Sequence, residues 1–139
     1  MSSKSEERLE DPRQILGRRG EELAVALVEA SGWLVAERNY NLGGGEVDIV
    51  AERPGEVIFV EVRSVATDYL ATPALTVDRR KQQFVIRGAR RYLLERKREN
   101  WRVRFDIVAV TFCGEEAALE WLVDAFQPAP SGRQSQYQW

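Results

Sequence analysis

Residues 46–63 read EVDIVAERPGEVIFVEVR, in which two apolar stretches flank the segment RPGE at 53–56. A proline followed by a glycine is typical of a turn. In each flanking stretch apolar and charged residues alternate. A strand with this pattern has its apolar side chains on one face and its charged side chains on the other. The sequence therefore predicts two strands, over 46–52 and 57–63, joined by this turn.

The register of these strands sets which charged side chains meet. With a four-residue turn Glu52 pairs with Val57, and Asp48 then falls opposite Glu61. Directly opposed side chains lie about 5 Å apart at Cβ, and two carboxylates at that separation repel each other. A shared proton, a basic neighbour or a divalent cation has to offset this repulsion.

Other interpretations of the same charges stay open. The register also places Glu46 opposite Arg63, so these two can form a cross-strand ion pair in which Arg63 serves Glu61 as well. Asp48 could simply cap a bend. A slip of one residue would move the charged set of one strand to the other face of the sheet.

A third acid belongs to the first predicted helix. Glu21 and Glu22 border its apolar stripe, so a helix packed on the sheet could direct one of these carboxylates toward the acidic pair. Surface exposure is the commoner fate of such glutamates. Gly17 and Gly20 weaken this part of the helix in isolation, and we interpret them as positions that allow close packing.

The remaining patterns predict an α/β fold. Apolar periodicity and turn residues predict a helix over 12–31, a strand over 33–37, a loop over 39–45, a connection over 64–77, a helix over 78–97, a strand over 103–112 and an edge strand over 119–123. We expect a mixed sheet of about four to five strands flanked by helices, with an α-β-β-β-α-β core. Residues 1–11 and 127–139 are predicted to be tails around one domain over 12–126.

Composition restricts the chemistry that this chain can carry. Its 139 residues suit one domain, and they include no histidine and a single cysteine, Cys113. Histidine-based catalysis, an internal disulfide and a cysteine-rich zinc site are thereby excluded. A metal would be held by oxygen, which favours Mg²⁺ or Mn²⁺. The chain lacks an apolar run of about 18 residues and a secretory signal, so we expect a cytoplasmic protein that has no membrane partner.

Positive charge is concentrated in one segment. Residues 79–104 hold eleven Lys or Arg and two acids, a balance of +9, whereas the rest of the chain holds nine basic and twenty acidic residues, a balance of −11. A phosphate backbone responds to such a local field rather than to the net charge of −2. A solvated helix face is the plain explanation. The functional one is a nucleic-acid surface with candidate contacts at Arg79, Arg80, Lys81, Arg87 and Arg91.

Three blocks of the sequence follow a known pattern, GxxGExxA at 17–24, GEVDIV at 45–50 with FVEVR at 59–63, and RFDIV at 104–108. Asn39 and Lys81 fit the same pattern. With these residues the chain resembles the YraN-like family of small bacterial proteins over about residues 14–126. The resemblance implies a restriction-endonuclease-like fold with the PD-(D/E)xK nuclease pattern, including its archaeal Holliday-junction resolvase relatives.

The resemblance also implies roles for individual residues. Asp48 corresponds to the first strand acid and Glu61 to the acid of the E-x-K element. Glu21 corresponds to the helical acid, and the backbone carbonyl of Val62 to a further metal ligand. Such a site would take Mg²⁺ or Mn²⁺ and would hydrolyse a phosphodiester bond.

Position 63 departs from the nuclease pattern, because active members usually carry lysine where this chain has Arg63. Arginine stays protonated and cannot act as a general base, but it can bind a phosphate or stabilise its developing charge. Lys81, at the start of the basic helix, is a candidate substitute and equally an ordinary surface lysine. We interpret Asp106 as a structural acid rather than a metal ligand.

The leading hypothesis is therefore a metal-dependent nuclease that hydrolyses phosphodiesters of DNA, in branched or single-stranded forms. The alternative is a non-catalytic nucleic-acid-binding module that kept the fold and lost the chemistry, and Arg63 favours it. A protein-interaction domain that uses the acidic termini is a third hypothesis. Resolvase-like nucleases often act as dimers, which adds a homodimer to the expectations, although no stretch of this chain predicts a dimer surface.

Overall fold

The structure is a computed structural model that describes residues 10–41, 43, 46–67 and 77–128. Its elements in chain order are α1 (Pro12–Ala30), β1 (Leu34–Asn41), β2 (Glu46–Arg53), β3 (Glu56–Ala66), α2 (Arg79–Glu95), β4 (Arg102–Cys113) and β5 (Glu116–Phe126). Each of them coincides with a predicted element, and β1, β3 and β5 extend furthest beyond their predicted ends.

The five strands form one mixed sheet in the order β1-β2-β3-β4-β5. The pairs β1–β2, β2–β3 and β4–β5 are antiparallel, whereas β3–β4 is parallel. A parallel pair needs a crossover connection, and α2 lies in the connection from β3 to β4. The predicted α/β class with its α-β-β-β-α-β core is confirmed, and β5 adds the fifth strand at one edge.

The sheet is buried on both faces. On one face α1 contributes Ala24, Val25 and Val28 to an apolar layer, here called the α1 layer. On the other face α2 contributes residues to the α2 layer at near-helical spacing, namely Val85, Ala89, Tyr92 and Leu93. Strands that are covered on both sides carry continuous apolar runs, as the buried stretch of β4 from Ile107 to Val110 does.

The register predicted for β2 and β3 is confirmed. Glu52 pairs with Val57, and the described pairing ends at Ile49–Val60. The turn is tighter than predicted, and Gly55 in it has a φ of 80°, which glycine adopts without strain. The two strands therefore bring their next residues, the predicted acidic pair, to neighbouring positions.

The two-residue alternation predicted over 46–52 would place Val47, Ile49 and Ala51 on one face of β2, and this was wrong for Val47. Ile49 and Ala51 pack in the α1 layer, whereas Val47 packs in the α2 layer. Opposite this point Asn39 of β1 has a φ of 49°, a left-handed conformation that interrupts a regular strand. The alternation therefore breaks at Asp48, between Val47 and Ile49.

The loop predicted over 39–45 was wrong in its first part. β1 continues through Asn41 and pairs with β2 up to that residue. Tyr40 stabilises this end of the strand, since its ring packs edge-on against Tyr92 with the centroids 5.4 Å apart. Asn41 Oδ1 then accepts a hydrogen bond from the Gly43 amide at 2.7 Å, which is typical of a turn.

Capping side chains fix the start of each helix. Asp11 accepts a hydrogen bond from the Arg13 amide at 2.9 Å, and Asp78 accepts one from the Lys81 amide at 3.0 Å. The second cap places Lys81 in the first turn of α2. No helix in the described ranges is long and apolar enough to span a bilayer.

Several predictions fall wholly or partly on residues that lie outside the described ranges. Of the connection predicted over 64–77, residues 64–66 belong to β3, and residues 68–76 are outside. Most of the two predicted tails, over 1–11 and 127–139, also lies outside. The tails and the middle of this connection therefore stay predictions.

Gly20 allows α1 to approach β3 closely. A Cβ at this position would collide with Ser64 Oγ and would lie 3.0 Å from Ser64 Cβ, so a side chain has no room there. Gly17 has nothing within 4 Å of such a Cβ. The close-packing interpretation is thus confirmed for Gly20 and was wrong for Gly17.

Gly20→Ala is expected to lower the free energy of unfolding by about 1–3 kcal/mol, the usual cost of overpacking a filled site. Gly17→Ala is the matched control, and it should raise that free energy by about 0.5–1 kcal/mol because alanine suits a helix better than glycine. Urea denaturation followed by circular dichroism measures both changes. Equal shifts in the two variants would contradict the close approach of α1 to β3.

Candidate functional site

Asp48 lies at the end of the paired part of β2 and is held by a neighbouring strand. Its Oδ2 accepts a hydrogen bond from the backbone amide of Val62 at 2.7 Å, and the residue is half-buried. This bond fixes the carboxylate against β3 at the position of Glu61 and Val62. The predicted proximity of Asp48 and Glu61 is therefore present in the structure.

Glu61 is a buried acid, with 4% of its surface exposed. Burial raises the pKa of Glu61 from its ordinary value of 4.5 to about 9, and the charge of Asp48 adds to the increase. The ammonium of Lys81 opposes the increase. Without a metal cation beside it, the Glu61 carboxyl is therefore protonated at neutral pH even with the Lys81 ammonium nearby.

Lys81 is the basic neighbour of this acidic pair. Its Nζ lies 3.6 Å from Glu61 Oε2 and donates a hydrogen bond to the Glu46 carbonyl oxygen at 3.0 Å. The first turn of α2 thus places an ammonium beside the buried carboxyl of Glu61. The sequence left open whether Lys81 is an ordinary surface lysine, and its position beside Glu61 favours a role in the site.

Glu21, rather than Glu22, is the helical acid that approaches the pair. The amide of Asn39 donates to Glu21 Oε1 at 3.4 Å, whereas Glu22 pairs with Arg38 at 2.8 Å and is exposed. Burial raises the pKa of Glu21, and the charge of Asp48 raises it further. α1 therefore brings a second partly buried carboxylate toward Asp48.

In the described part of the chain three buried polar atoms have no hydrogen-bond partner, namely Glu21 Oε2, Glu61 Oε2 and Ser64 Oγ. The first two belong to the acids whose pKa the charge of Asp48 raises. The contacts from Arg38 to Glu21 at 3.8 Å and from Lys81 to Glu61 at 3.6 Å are ion pairs that exceed hydrogen-bond length. Unsatisfied buried polar atoms are costly, so these two carboxylate oxygens near Asp48 indicate a site for something polar.

Sequence reasoning did not single out Ser64, whose buried hydroxyl has no hydrogen-bond partner among the described residues. A serine near the end of a predicted strand carries no functional signal of its own. Its position becomes informative only with the tertiary structure, because Ser64 lies directly beneath Gly20, the residue before Glu21 in the chain.

The acidic residues of this site fit Mg²⁺, a hard divalent cation that needs few protein ligands. Within the described ranges no three Asp, Glu or Cys side chains are grouped closely enough to enclose a metal ion. Mg²⁺ needs no such cage, since it is usually bound by one or two carboxylates and keeps several waters. Asp48 and Glu61 can supply two such carboxylates, while the Val62 carbonyl stays a predicted ligand.

Arg63 does not form the predicted cross-strand ion pair. In the regions that the structure describes, no ion pair joins it to Glu46 or Glu61, and its side chain is exposed. The described pairing of β2 with β3 ends at Ile49–Val60, before the positions of Glu46 and Arg63. The regular register therefore does not place these two residues opposite each other. Arg63 thus remains available on the surface beside the acidic pair.

The basic segment divides into paired and unpaired residues. Lys81 contacts Glu61, Arg91 pairs with Glu95 at 3.1 Å, and Arg96 and Arg98 pair with Glu37 and Glu52. In the described chain no acid pairs with the exposed side chains of Arg79, Arg80 and Arg87. Of the five candidate nucleic-acid contacts, these three therefore have no acidic partner among the described residues.

Asp106 has a structural role, as interpreted from the sequence. It is fully buried and accepts hydrogen bonds from Arg104 Nε at 2.9 Å, Trp121 Nε1 at 2.8 Å and the Asp124 amide at 2.9 Å. These donors satisfy both carboxylate oxygens. Asp106 of β4 therefore stabilises the pairing with β5 through its hydrogen bonds from Trp121 and Asp124. Its carboxylate is not directed at the acidic pair.

Comparison with known proteins identifies the family. The model of the uncharacterised protein family UPF0102 matches residues 20–110. The chain belongs to this family. Among its relatives are a UPF0102 protein of Myxococcus xanthus, 40% identical over 82% of this chain and 90% of the relative, and one of Desulforapulum autotrophicum, 40% identical over 86% and 98%. A UPF0102 protein of Geobacter metallireducens is 34% identical over 82% and 93%.

UPF0102 is the YraN-like family that the sequence resembles, so the resemblance is confirmed at family level. The region that matches the UPF0102 model runs from Gly20 in α1 to Val110 in β4. It contains every side chain of the site described above, including Lys81 from the first turn of α2.

Proposed function

We propose that this UPF0102 protein is a divalent-metal-dependent nuclease that hydrolyses phosphodiester bonds of DNA. The observation that carries the proposal is that two acids near Asp48, Glu21 and Glu61, each have a buried carboxylate oxygen without a hydrogen bond. A positive ligand beside Asp48 would remove the cost of leaving these oxygens without a hydrogen bond.

Asp48 and Glu61 would hold the cation, and the backbone carbonyl of Val62 would be a further ligand. Bound there, a divalent cation supplies Lewis acidity toward a phosphodiester and lowers the pKa of water at the site. The Val62 amide keeps the Asp48 carboxylate oriented through its 2.7 Å hydrogen bond. Glu21, 3.4 Å from the Asn39 amide nitrogen, would accept hydrogen bonds from water at the edge of the site.

Two basic side chains share the role that a single lysine has in the usual nuclease pattern. Lys81 Nζ, 3.6 Å from Glu61, would stabilise negative charge that develops on the scissile phosphate. Arg63 is exposed and permanently protonated, so it would bind a phosphate of the substrate without exchanging protons. This division explains how arginine at position 63 is compatible with cleavage.

A cleavage assay tests the proposal. Purified protein with Mg²⁺ or Mn²⁺ is offered branched, flap, single-stranded and duplex DNA, with the matching RNA strands. Asp48→Ala and Glu61→Ala are expected to lower the cleavage rate about 100-fold or more, since the interactions removed are worth several kcal/mol. Glu46→Ala, an exposed acid on the same strand, should cleave like the parent protein. If both site variants cleave as well as the parent while folded, the assigned site is wrong.

Lys81→Met and Arg63→Met separate the roles of the two basic residues. Lys81→Met is expected to lower the cleavage rate about 10²- to 10³-fold, the usual cost of removing one group that stabilises charge in the transition state. Arg63→Met should mainly raise the DNA concentration needed for half-maximal rate. Single-turnover kinetics over a range of DNA concentrations measures both effects. If Lys81→Met cleaves DNA at the parent rate, Lys81 takes no part in the chemistry.

The second candidate function is a nucleic-acid-binding module without cleavage, and Arg63 is the observation that favours it. That module would bind DNA in a salt-dependent manner, because phosphate contacts release counterions. It would show neither Mn²⁺ affinity nor metal-dependent cleavage. The same purified protein therefore distinguishes the two functions in one set of assays.

A further inference from the structure

An aromatic ring on α2 is flanked by two arginines. The Arg80 guanidinium lies 5.9 Å and the Arg87 guanidinium 5.2 Å from the centroid of the Phe84 ring. Residues three and four apart on a helix are neighbours on its surface, so Arg80, Phe84 and Arg87 form one stripe. We call these three residues the α2 stripe.

The α2 stripe is not accounted for by the core of the protein. Phe84 is half-buried and belongs to neither the α1 layer nor the α2 layer, nor to the partly buried residues packed against them. No acid in the described ranges pairs with Arg80 or Arg87, although Lys81 and Arg91 of the same helix each contact one. A half-buried aromatic ring therefore lies between two arginines that have no acidic partner among the described residues.

The chemistry of the α2 stripe suits one class of partner. Guanidinium groups bind phosphates in pairs of hydrogen bonds, and an aromatic ring stacks on a base that is not paired within a duplex. A duplex would engage the arginines and leave Phe84 unused, because its bases are stacked on each other. An acidic peptide would likewise satisfy the charges alone. A single-stranded nucleic acid uses all three side chains.

We propose that the α2 stripe binds a single-stranded nucleic acid, with a base stacked on Phe84 and the adjoining phosphates on Arg80 and Arg87. Lys81, which follows Arg80 in the chain, contacts Glu61. A strand that lies along the first turns of α2 therefore leads toward the acidic pair. This inference rests on the proposed function only in naming the bound strand as the substrate.

Fluorescence anisotropy in EDTA tests the α2 stripe without any metal. The probes are a labelled oligothymidylate, an abasic oligomer of the same length and a duplex of the same length. The parent is expected to bind the oligothymidylate more tightly than the other two. Phe84→Leu should weaken that binding about 5- to 150-fold, the effect of losing one base–aromatic stack, and should leave binding of the abasic oligomer unchanged.

Control variants separate stacking from charge and from folding. Phe84→Tyr keeps a ring face and should keep the parent's preference for bases. Arg80→Ala and Arg87→Ala should weaken the two single-stranded probes alike and reduce the slope of log affinity against log salt by about 0.7 each. Arg13→Ala, at an exposed arginine of α1, removes one charge elsewhere and should change neither quantity.

Equal binding of thymidylate and abasic oligomers by the parent would overturn the inference. So would a preference for the duplex, or an unchanged base preference in folded Phe84→Leu. The same measurements on Asp48→Ala separate this inference from the proposed function. If the parent binds single strands but cleaves no DNA, only the proposed nuclease function is refuted. If the parent cleaves DNA but its binding does not depend on bases, only the proposed role of the α2 stripe is refuted.

Discussion

Glu61→Gln is expected to be more stable than the parent in the absence of divalent cations, by a margin that grows from about pH 5 to about pH 9. Burial and the nearby charge of Asp48 raise the pKa of Glu61 to about 9, against the partial compensation from Lys81. In the unfolded chain the same carboxyl ionises near 4.5. Between these two values the folded protein holds a proton that the unfolded chain has lost.

The direction of the effect follows from this difference in bound protons. A pKa that is raised on folding contributes stability that is fully present below the unfolded pKa and is lost as the pH rises through the folded one. The parent should therefore lose up to about 1.4 kcal/mol of unfolding free energy per pH unit across this interval. Glutamine cannot ionise, so Glu61→Gln lacks this loss.

Urea denaturation at five pH values, in EDTA, measures the two slopes. Asp48→Asn is the matched variant, since removing the neighbouring charge should lower the pKa of Glu61 and flatten the slope without abolishing it. Addition of Mg²⁺ should stabilise the parent at alkaline pH and leave Glu61→Gln unchanged. Parallel curves for the parent and Glu61→Gln would show that Glu61 is not held in its neutral form.

Asp106→Ala is expected to lower the free energy of unfolding by about 3–5 kcal/mol, the usual cost of removing one member of a buried ion pair. The change would leave Arg104, the Trp121 indole and the Asp124 amide without their acceptor. A loss of that size is a large part of the stability of a small domain. The end of β5 should then separate from β4 before the rest of the sheet unfolds.

Thermal unfolding with hydrogen exchange checks this prediction. Trp121→Phe is the graded control, since it removes one donor and keeps an aromatic ring, and it should cost about 1 kcal/mol. Folded Asp106→Ala should bind Mn²⁺ as the parent does, because Asp106 bonds to Arg104, Trp121 and Asp124 rather than to the acidic pair. A loss of Mn²⁺ binding in folded Asp106→Ala would contradict its structural role.

The turn and the strands around it could be predicted because their signals are local. Proline and glycine at 54 and 55 fix the turn, and the turn length then sets the register that brings Asp48 beside Glu61. The break in alternation at Asp48 could not be predicted in this way. It coincides with the left-handed conformation of Asn39 on the adjacent strand, which no pattern within β2 reveals.

The rest of the site depends on packing between distant elements. Lys81 reaches Glu61 because the crossover brings the first turn of α2 over the end of β3. Ser64 lies against α1 because Gly20 has no side chain that would separate α1 from β3. Spacing along the chain identifies the candidates, but only the assembled layers decide which of Glu21 and Glu22 approaches Asp48.

Crystals soaked in Mn²⁺ and measured at the manganese absorption edge test the central claim most directly. We expect an anomalous peak between the carboxylates of Asp48 and Glu61, and no such peak in Glu61→Gln crystals soaked in the same way. A soaked parent crystal without a peak at that position would contradict it, and so would a peak that is unchanged in Glu61→Gln.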